Sequence, residues 1–391
     1  DKTHAYNRDF FKHHVHNLLR LQRIGVQKTY RETQRKSKEN MTLVAYKALP
    51  TFERLRQEGW AVLSPERSQA QEIRELHIGL LNMMPDKALE ATERQFFRLI
   101  GESNQIAQFY VHPFTLPELE RSAEAQSYID EYYETFESLK KDGLDALIIT
   151  GANVSDPDLT KAAFWEPLQD VMDWAWENVT STLCSCLATH AVMQFQYGQT
   201  RASLKNKLLG VYPHRVLERN HPLMRGVNTV FDVPHSRYNE ISRTQFEDAG
   251  LMVLAASHKD DVHMAVSPDG FRQLLFQGHP EYDTISLYKE YQREVKTFMN
   301  KDLRTYPPLP HNYMNAEVQK IMKTLKKSAQ KGQTDWPLTD EDMCAMIENS
   351  WGDTARSLVG NWIGLVYQLT NVERAKPFMD GVDPDNPLAV L

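Results

Sequence analysis

From about residue 74 the chain alternates short, continuous apolar runs with segments in which apolar residues recur every three or four positions. The apolar runs predict strands, and the helical spacing predicts helices. The predicted strands are 76–83, 106–112, 144–150 and 180–186, and the predicted helices are 88–101, 125–143 and 165–179. Strands that are separated by helices are typical of a parallel sheet, and continuous apolar strands indicate burial on both faces. The pattern therefore predicts an α/β fold, with crossover helices on both faces of a parallel sheet.

The pattern changes in the second half of the chain. Segments 228–238 and 251–257 are apolar, and Pro268, Asp269 and Gly270 predict the turn of a hairpin within 262–281. A helix is predicted over 284–299, a proline-rich connection and a basic stretch follow it, and helical spacing returns over 340–370. We expect a basic N-terminal extension (1–47), an α/β domain (48–310) and a C-terminal helical segment (311–391) that packs on the core or on a dimer partner.

Composition and charge exclude several classes of protein. The 391 residues include only three cysteines, which argues against a disulfide framework and for a reducing compartment. No apolar run has the roughly 20 residues of a membrane span, and the polar start does not resemble a signal peptide, so we expect a cytoplasmic protein that does not bind membranes. A net charge of −7 gives no reason to expect a nucleic-acid partner.

The first forty residues carry ten Lys or Arg against four Asp or Glu. They are either an arm that docks on a partner subunit or a loosely ordered extension. His13, His14 and His16 lie in this segment, but no cysteine or carboxylate pattern accompanies them. We therefore expect no metal site.

Candidate chemistry lies where the predicted strands end, because an open parallel sheet binds ligands at the carboxyl ends of its strands. Cys186 follows the strand 180–186 at a turn into a helix, where the positive helix end favours a thiolate. Cys184 lies two residues earlier, inside the strand, and is expected to be a core residue. For Cys186 alone, a nucleophile and a small buried residue remain equally good interpretations.

A thiolate nucleophile needs a base, and the base needs an orienting group. His279 and Glu281 are two residues apart, so in an extended segment both side chains lie on one side. The carboxylate can then accept one imidazole proton and leave the other nitrogen for the thiol. The alternative is that Glu281 only caps the helix that follows it.

Several motifs resemble one enzyme family. "GHPEYD", "SRYNE" after "VPH", "STLxxC" and "LNMMPDK" are similar to the homoserine O-acyltransferases of the methionine pathway that have a class I glutamine amidotransferase-like fold. The resemblance covers about 48–310, with a further match at 361–368. It implies a flavodoxin-like α/β core with helical extensions, a homodimer, acyl-CoA and L-homoserine as substrates, and no cofactor.

The resemblance also implies roles for individual residues. Cys186 would carry the acyl group as a thioester in a ping-pong reaction, with His279 as general base and Glu281 orienting it. Lys207 and Ser236 would bind substrate, and Arg293 would bind the carboxylate of the amino acid, although a surface ion pair is an alternative for Arg293. Arg237 is a second candidate contact for an anion.

The oxyanion hole and the acyl pocket are placed by the same comparison. Backbone amides of Leu187, Ala152 and Asn153 would form the oxyanion hole. Ser155 occupies the position that separates acetyl from succinyl users, and a small neutral residue there favours succinyl-CoA. His190 stands where the family usually has glutamine, and it is either an ordinary helix residue or a substrate contact.

Three other functions remain open from the sequence. The donor could be acetyl-CoA, and the fold and the Cys-His-Glu arrangement are shared with glutamine amidotransferases, although the glycine-flanked cysteine of those enzymes is missing. A non-catalytic relative that serves as a binding subunit is the third. Serine as an alternative acceptor is also open.

Overall fold

A nine-stranded sheet organises the protein. The structure is a computed structural model that describes residues 42–391 apart from 61, 71–72, 105, 155, 302–304, 331–335 and 337. The described residues group into a larger unit, 42–282 with 350–391, and a smaller unit, 283–349. The basic extension, with His13, His14 and His16, lies outside the described residues, apart from the last few residues of 1–47.

In the larger unit the strands are β1 (Glu75–Leu81), β2 (Gln108–Phe114), β3 (Ala146–Ile149), β4 (Ser181–Ser185), β5 (Ala202–Val216), β6 (Val230–Glu240), β7 (Met252–Ala256), β8 (Val262–Val266) and β9 (Gln273–Phe276). Its helices are α1 (Pro50–Gln57), α2 (Pro65–Gln69), α3 (Asp86–Ser103), α4 (Ala123–Tyr132), α5 (Phe136–Asp142), α6 (Trp165–Asn178), α7 (Leu187–Tyr197), α8 (Arg243–Asp248) and, near the C-terminus, Gly352–Leu369. The smaller unit contains α9 (Ser286–Met299), α10 (Ala316–Ala329) and α11 (Asp340–Met346). We label the helix Gly352–Leu369 as α12.

The sheet has the order β2-β1-β3-β4-β9-β8-β7-β5-β6. Its first five strands in this order are parallel to one another, which confirms the predicted α/β class. The other four strands extend the sheet through antiparallel pairs. The expectation of a parallel sheet is therefore right for only part of the sheet. The predicted hairpin is confirmed, since β8 and β9 pair antiparallel around Gly270, whose φ is +85°.

Burial on both faces explains the continuous apolar strands. Along β3, Ala146 and Ile148 belong to one hydrophobic cluster, and Leu147 and Ile149 belong to another. Because successive side chains of a strand point to opposite faces, these two clusters are the cores above and below the sheet. Cys184 is fully buried in the second cluster, and burial raises the pKa of its thiol.

The predicted helix 125–143 is two helices. Between α4 and α5 the backbone N–H of Glu134 donates to the Pro113 carbonyl at 2.8 Å, so the chain leaves the helix to pair beside β2. Thr135 then caps α5 with its side chain. Helical periodicity continues through the break, which is why the sequence alone predicts one helix.

The C-terminal helix α12 packs into the core of the larger unit. Trp362 is fully buried, and its indole N–H donates to the Ser181 hydroxyl at the start of β4, at 2.9 Å. None of the helices in the described part of the chain is long and apolar enough to cross a membrane.

Candidate active site

Cys186 is the single residue between strand β4 and helix α7. It follows the last residue of β4 and precedes the first residue of α7, with φ +53° and ψ −107°. This conformation is rare for a residue with a side chain and costs on the order of 1–3 kcal/mol, so it persists only where the surroundings impose it. Here the Cys186 N–H donates to the Phe276 carbonyl at 2.7 Å, and Phe276 is the last residue of β9. The strained turn holds the thiol partly exposed at the carboxyl edge of the parallel strands.

Thr189 supports this turn from the first part of α7. Its buried hydroxyl lies 3.0 Å from the Cys184 carbonyl and 2.9 Å from the Phe276 carbonyl. The two acceptors belong to the neighbouring strands β4 and β9, so one side chain ties both strand ends to the helix. Its signal in the sequence is weak, because threonine is common in helices.

His279 and Glu281 follow β9 and form a buried pair. The imidazole Nδ1 lies 2.8 Å from the carboxylate Oε1, and both residues are less than a tenth exposed. A carboxylate accepts the proton on Nδ1, so Nε2 is the ring nitrogen left for the thiol. The His279 backbone N–H donates to the Pro234 carbonyl at 2.9 Å, and the Tyr282 ring stacks on the imidazole with centroids 4.3 Å apart.

The surroundings of His279 favour its charged form. Burial by itself lowers the pKa of the imidazole, because a charged ring loses its hydration. The negative charges of Glu281 and of a Cys186 thiolate outweigh burial, and the hydrogen bond with Glu281 adds to the effect. The pKa of His279 is therefore held well above its usual value. The structure thus brings together Cys186, His279 and Glu281, as an activated thiol requires.

Gly278 allows His279 to approach the sheet. A Cβ atom at this position would lie 2.4 Å from the Val233 side chain, 2.8 Å from Nδ1 of His263 and 3.0 Å from Cε1 of His235. Any larger residue would displace the segment that carries the base. His235 and His263 are buried, and burial keeps the pKa of each imidazole well below its usual value.

The turn after β3 borders the nucleophile. A Cβ built on Gly151 would lie 3.5 Å from Cβ of Cys186 and 3.8 Å from the backbone nitrogen of Leu187. Leu187 is the first residue of α7, so its N–H has no partner inside the helix and is available to an oxyanion. Ala152 and Asn153 follow in the same turn, half-buried and exposed, and their share in the oxyanion hole stays a prediction. Ser155 lies outside the described residues.

Lys207 and Ser236 lie on one face of the β5–β6 pair. Ser236 is opposite Leu209, and Lys207 is two residues from Leu209 along the strand. The Lys207 ammonium also lies 5.4 Å from the centre of the Tyr238 ring. Both predicted substrate contacts therefore lie on the β5–β6 pair, and their roles stay predictions.

Arg237 points to the opposite face from Ser236 and is buried. Its Nη1 donates to the Asn239 carbonyl at 2.9 Å, and its guanidinium lies 3.5 Å from the Glu240 carboxylate and 3.6 Å from that of Asp261. These partners give Arg237 a structural role in the sheet. Its predicted contact with an anion stays a prediction. Arg293 lies on α9 in the smaller unit, and its predicted role is also untested.

His190 has an internal partner. Its Nε2 lies 3.0 Å from Oε1 of Gln277, which also accepts the Ile241 N–H at 2.8 Å. The amide nitrogen of Gln277 donates to the carbonyls of Ile241 and Val262, so Oε1 is the acceptor and Nε2 of His190 carries the proton. Burial lowers the pKa of His190 to about 3. The ring is a neutral core group, which favours the interpretation as an ordinary helix residue.

Sequence reasoning missed Arg201, which precedes β5. Its Nη2 donates to the Val154 carbonyl at 2.9 Å and to the Asp156 carbonyl, and its Nε donates to the Pro157 carbonyl at 3.3 Å. The acceptors are backbone atoms more than 40 residues away, so no side-chain motif could have revealed the contact. Tyr282 was also missed, although it belongs to the motif that contains His279.

Among the residues that the structure describes, no group of three or more His, Cys, Asp or Glu is arranged to hold a metal ion.

The chain is similar to known proteins of one family. The family model "HTS: Homoserine O-succinyltransferase" matches residues 42–372. A homoserine O-succinyltransferase of Allochromatium vinosum is 58% identical over 354 residues, covering 90% of this chain and 99% of the relative. Relatives with the same name from Nitrosococcus oceani and Thiobacillus denitrificans are both 57% identical and also cover 90% of this chain, with 99% and 100% of their own lengths.

Solved structures resemble the chain more distantly. A glutamine amidotransferase from Thermotoga maritima has a TM-score of 0.40 at 12% identity and covers 75% of this chain and 98% of its own. A glutamine amidotransferase from Methylobacillus flagellatus has a TM-score of 0.40 at 11% identity, with 75% and 95% covered.

Proposed function

Because the chain belongs to the homoserine O-succinyltransferase family, we propose that it transfers the succinyl group of succinyl-CoA to the hydroxyl of L-homoserine through a thioester on Cys186. The observation that supports this route is the buried His279–Glu281 pair beside a cysteine in a strained strand-to-helix turn. The reaction would be a step of methionine biosynthesis in the cytoplasm. We propose no cofactor, with acyl-CoA as co-substrate beside L-homoserine, since the thiol, base and orienting group all belong to the chain.

In the first half-reaction the Cys186 thiolate attacks the thioester carbonyl of succinyl-CoA. The oxyanion of the tetrahedral intermediate accepts hydrogen bonds from the Leu187 N–H and from the amides of the turn after β3. The intermediate collapses, the bond to the CoA sulfur breaks, and the His279 imidazolium donates its proton to that sulfur. The products are free CoA, a succinyl thioester on Cys186 and a neutral imidazole.

In the second half-reaction Nε2 of His279 accepts the proton of the homoserine hydroxyl. The hydroxyl oxygen attacks the succinyl thioester, and collapse of the second tetrahedral intermediate forms the ester and releases the Cys186 thiolate. The imidazolium–thiolate pair is restored. Glu281 keeps the ring in the required tautomer and stabilises its charge in both halves.

Substrate recognition is assigned to residues that the resemblance to the family implies. Lys207 and Ser236, on one face of the β5–β6 pair, bind substrate, with Arg237 and Arg293 as further contacts for anionic groups. Ser155 is assigned to the selection of the acyl group, because serine is small and neutral and so favours a succinyl group. A homodimer without nucleic-acid or membrane partners completes the proposal.

The test is a steady-state assay of CoA release with identification of the product by mass spectrometry. We expect release from succinyl-CoA to require homoserine, to exceed that from acetyl-CoA and to give a succinyl ester of homoserine, with serine a poor acceptor. Double-reciprocal plots at several homoserine concentrations should be parallel. Hydrolysis of glutamine without homoserine-dependent release of CoA would contradict the proposal.

A further inference from the structure

Tyr282 lies directly on the proposed base and has no role in the steps above. Its ring stacks on the His279 imidazole with centroids 4.3 Å apart and an angle of 17° between the planes. His279 is buried, and Tyr282 is half-buried. A ring that covers the face of an imidazole leaves both nitrogens free in the imidazole plane. Nδ1 can therefore bind Glu281 and Nε2 can face the thiol while the stack is in place.

A tight turn brings the two rings together. The Tyr282 N–H donates to the His279 carbonyl at 3.3 Å, which closes a β-turn with Pro280 and Glu281 at its two central positions. Proline is favoured at the first central position, because its ring fixes φ near the value that such a turn needs. The turn therefore places Glu281 beside one edge of the imidazole and Tyr282 on its face.

Two helices hold this turn through its carbonyl groups. The indole N–H of Trp351, the residue before α12, donates to the Tyr282 carbonyl at 2.9 Å, and Trp351 is only 2% exposed. Arg98 on α3 donates to the Glu281 carbonyl at 3.4 Å. The position of the Tyr282 ring is thus set by tertiary contacts as well as by the turn.

The imidazole needs a second constraint besides its contact with Glu281. That contact fixes one edge of the ring at Nδ1, but a single hydrogen bond does not stop the ring from pivoting about it. Nε2 is buried and has no hydrogen-bond partner in the described part of the chain. The stacked Tyr282 ring limits the pivot, because rotation of the imidazole out of its plane would drive it into the phenol ring.

The same stack acts on the charge of the base. The face of an aromatic ring is negative and attracts a cation that lies over it. The other titratable groups that interact electrostatically with His279 are Glu281 in its own turn, Cys186 before α7, His235 on β6 and His263 on β8. Tyr282 differs from these groups, because it acts through the face of a ring that is neutral near pH 7.

We propose that Tyr282 is a positioning residue for the transfer reaction, whose ring fixes the plane of the His279 imidazole and stabilises its charged form. The inference rests on the proposed function, because it concerns the base of the same reaction. The stack favours the resting pair of thiolate and imidazolium, and it favours the second half-reaction, in which Nε2 takes up a proton. Trp351 and the turn keep the ring in place through both halves.

The experiment first measures the pKa of the His279 imidazole without any substrate, by NMR of protein labelled at histidine Cε1. The His279 signal is identified by its absence in His279→Gln. Tyr282→Phe keeps the ring, the same phenylalanine with a fully fluorinated ring keeps the shape but reverses the charge of the face, and Tyr282→Leu removes the ring. Tyr367→Leu is the matched control, because the Tyr367 ring lies against Arg74, 5.9 Å from its guanidinium carbon.

Tyr282→Leu and the fluorinated variant are expected to lower the pKa of His279 by about 0.4 to 1.5 pH units, the range for a cation over an aromatic face. Tyr282→Phe and Tyr367→Leu should keep the pKa of the unchanged protein. In the assay with succinyl-CoA and homoserine, kcat of Tyr282→Leu should fall about 10- to 100-fold, as for a small misplacement of a catalytic group, with KM nearly unchanged. The kcat of Tyr282→Phe should stay close to that of the unchanged protein.

An equal pKa of His279 in Tyr282→Phe and in the fluorinated variant would show that the ring face does not stabilise the charge. A kcat of Tyr282→Leu equal to that of Tyr367→Leu would show that the ring does not position the base. Either result overturns the inference. The two phenylalanine variants have the same shape, so their comparison remains if Tyr282→Leu does not fold. Because the pKa is measured without substrate, the expected pKa changes in a protein that releases no CoA from succinyl-CoA would count against the proposed function alone.

Discussion

At the scale of single residues, the account depends on how Glu281 controls His279. The 2.8 Å contact fixes the tautomer, and the carboxylate charge opposes the effect of burial on the imidazole. The pKa of His279 is raised by its partners, so the imidazolium persists to higher pH in the folded protein than in an ordinary histidine. Loss of the carboxylate therefore changes both the orientation and the charge of the base.

Glu281→Gln is expected to lower kcat about 10²- to 10⁴-fold, as for loss of the orienting carboxylate in comparable triads. Because the pKa of His279 falls when the negative charge is removed, the alkaline limb of the rate of Cys186 acylation should move to lower pH. The measurement is the pH profile of kcat/KM for succinyl-CoA. Glu281→Asp retains the charge and serves as control, with a smaller displacement of the limb. A Gln variant whose alkaline limb stays in place would show that Glu281 does not set the charge of the imidazole.

The positions of residues could be predicted from the sequence where they follow from local spacing. Cys186 and Cys184 were separated by position alone, since one ends a strand and the other lies inside it, and the structure finds the second fully buried. The pairing of His279 with Glu281 also followed from a two-residue spacing. Arg201 could not be found in this way, because its partners are main-chain carbonyls that any sequence provides.

At the scale of secondary-structure elements, the site depends on how closely the segment after β9 packs against the neighbouring strands. A Cβ atom at Gly278 would overlap Val233, His235 and His263, so only glycine lets this segment lie so close to β6 and β8. The tight packing involves three elements: the segment after β9, strand β6 and strand β8. A glycine that is required for such an approach is not recognisable from its neighbours in the sequence.

Gly278→Ala is expected to destabilise the protein by about 1–3 kcal/mol, because the added methyl would overlap the Val233 and His263 side chains. Transfer activity should fall as well, since the strain acts on the residue next to His279. Urea unfolding and kcat measure the two effects. Gly364→Ala in α12 is the matched control: nothing lies within 4 Å of the new Cβ, and the helix should gain up to about 1 kcal/mol. Equal unfolding midpoints for the two variants would contradict the packing argument.

The elements themselves were predicted where burial is continuous. The parallel strands are almost entirely buried, but β5 alternates exposed and buried residues irregularly and includes a register shift after Ser203, so it was not predicted. A one-helix prediction for 125–143 failed because the break is imposed by pairing beside β2, which is a tertiary contact. Local periodicity carries no information about such contacts.

At the scale of the whole molecule, buried histidines dominate the response to acid. Burial lowers the pKa of His77 and His190 to about 3 and that of His214 to about 4, and it holds the pKa of His235 and His263 well below the usual value. In the unfolded chain each ring takes up a proton near pH 6.5. Below that pH the unfolded state binds more protons than the folded state, so acid favours unfolding.

The melting temperature should therefore fall as the pH is lowered from 6.5 towards 4. Each of these rings contributes up to about 1.4 kcal/mol per pH unit within that window, whereas His279 has the opposite sign and its stabilisation is fully present below pH 6.5. Thermal unfolding monitored by circular dichroism between pH 4 and 8 measures the effect. From pH 7 to 8 these five histidines are neutral in both states, so a change of melting temperature in that range is expected from other groups, His279 among them, whose stabilisation declines as the pH rises. A melting temperature that is the same at pH 5 and pH 6.5 would contradict this account.

The central claim is that Cys186 carries the acyl group, and the most direct measurement is the intact mass of the protein after mixing with succinyl-CoA in the absence of an acceptor. The account predicts the addition of one succinyl group, its absence in Cys186→Ser, its retention in Cys184→Ala and its loss when homoserine is added. Cys184→Ala is the control because that thiol is fully buried in the core. An adduct that survives in Cys186→Ser, or homoserine-dependent release of CoA with no adduct at all, would contradict the covalent mechanism.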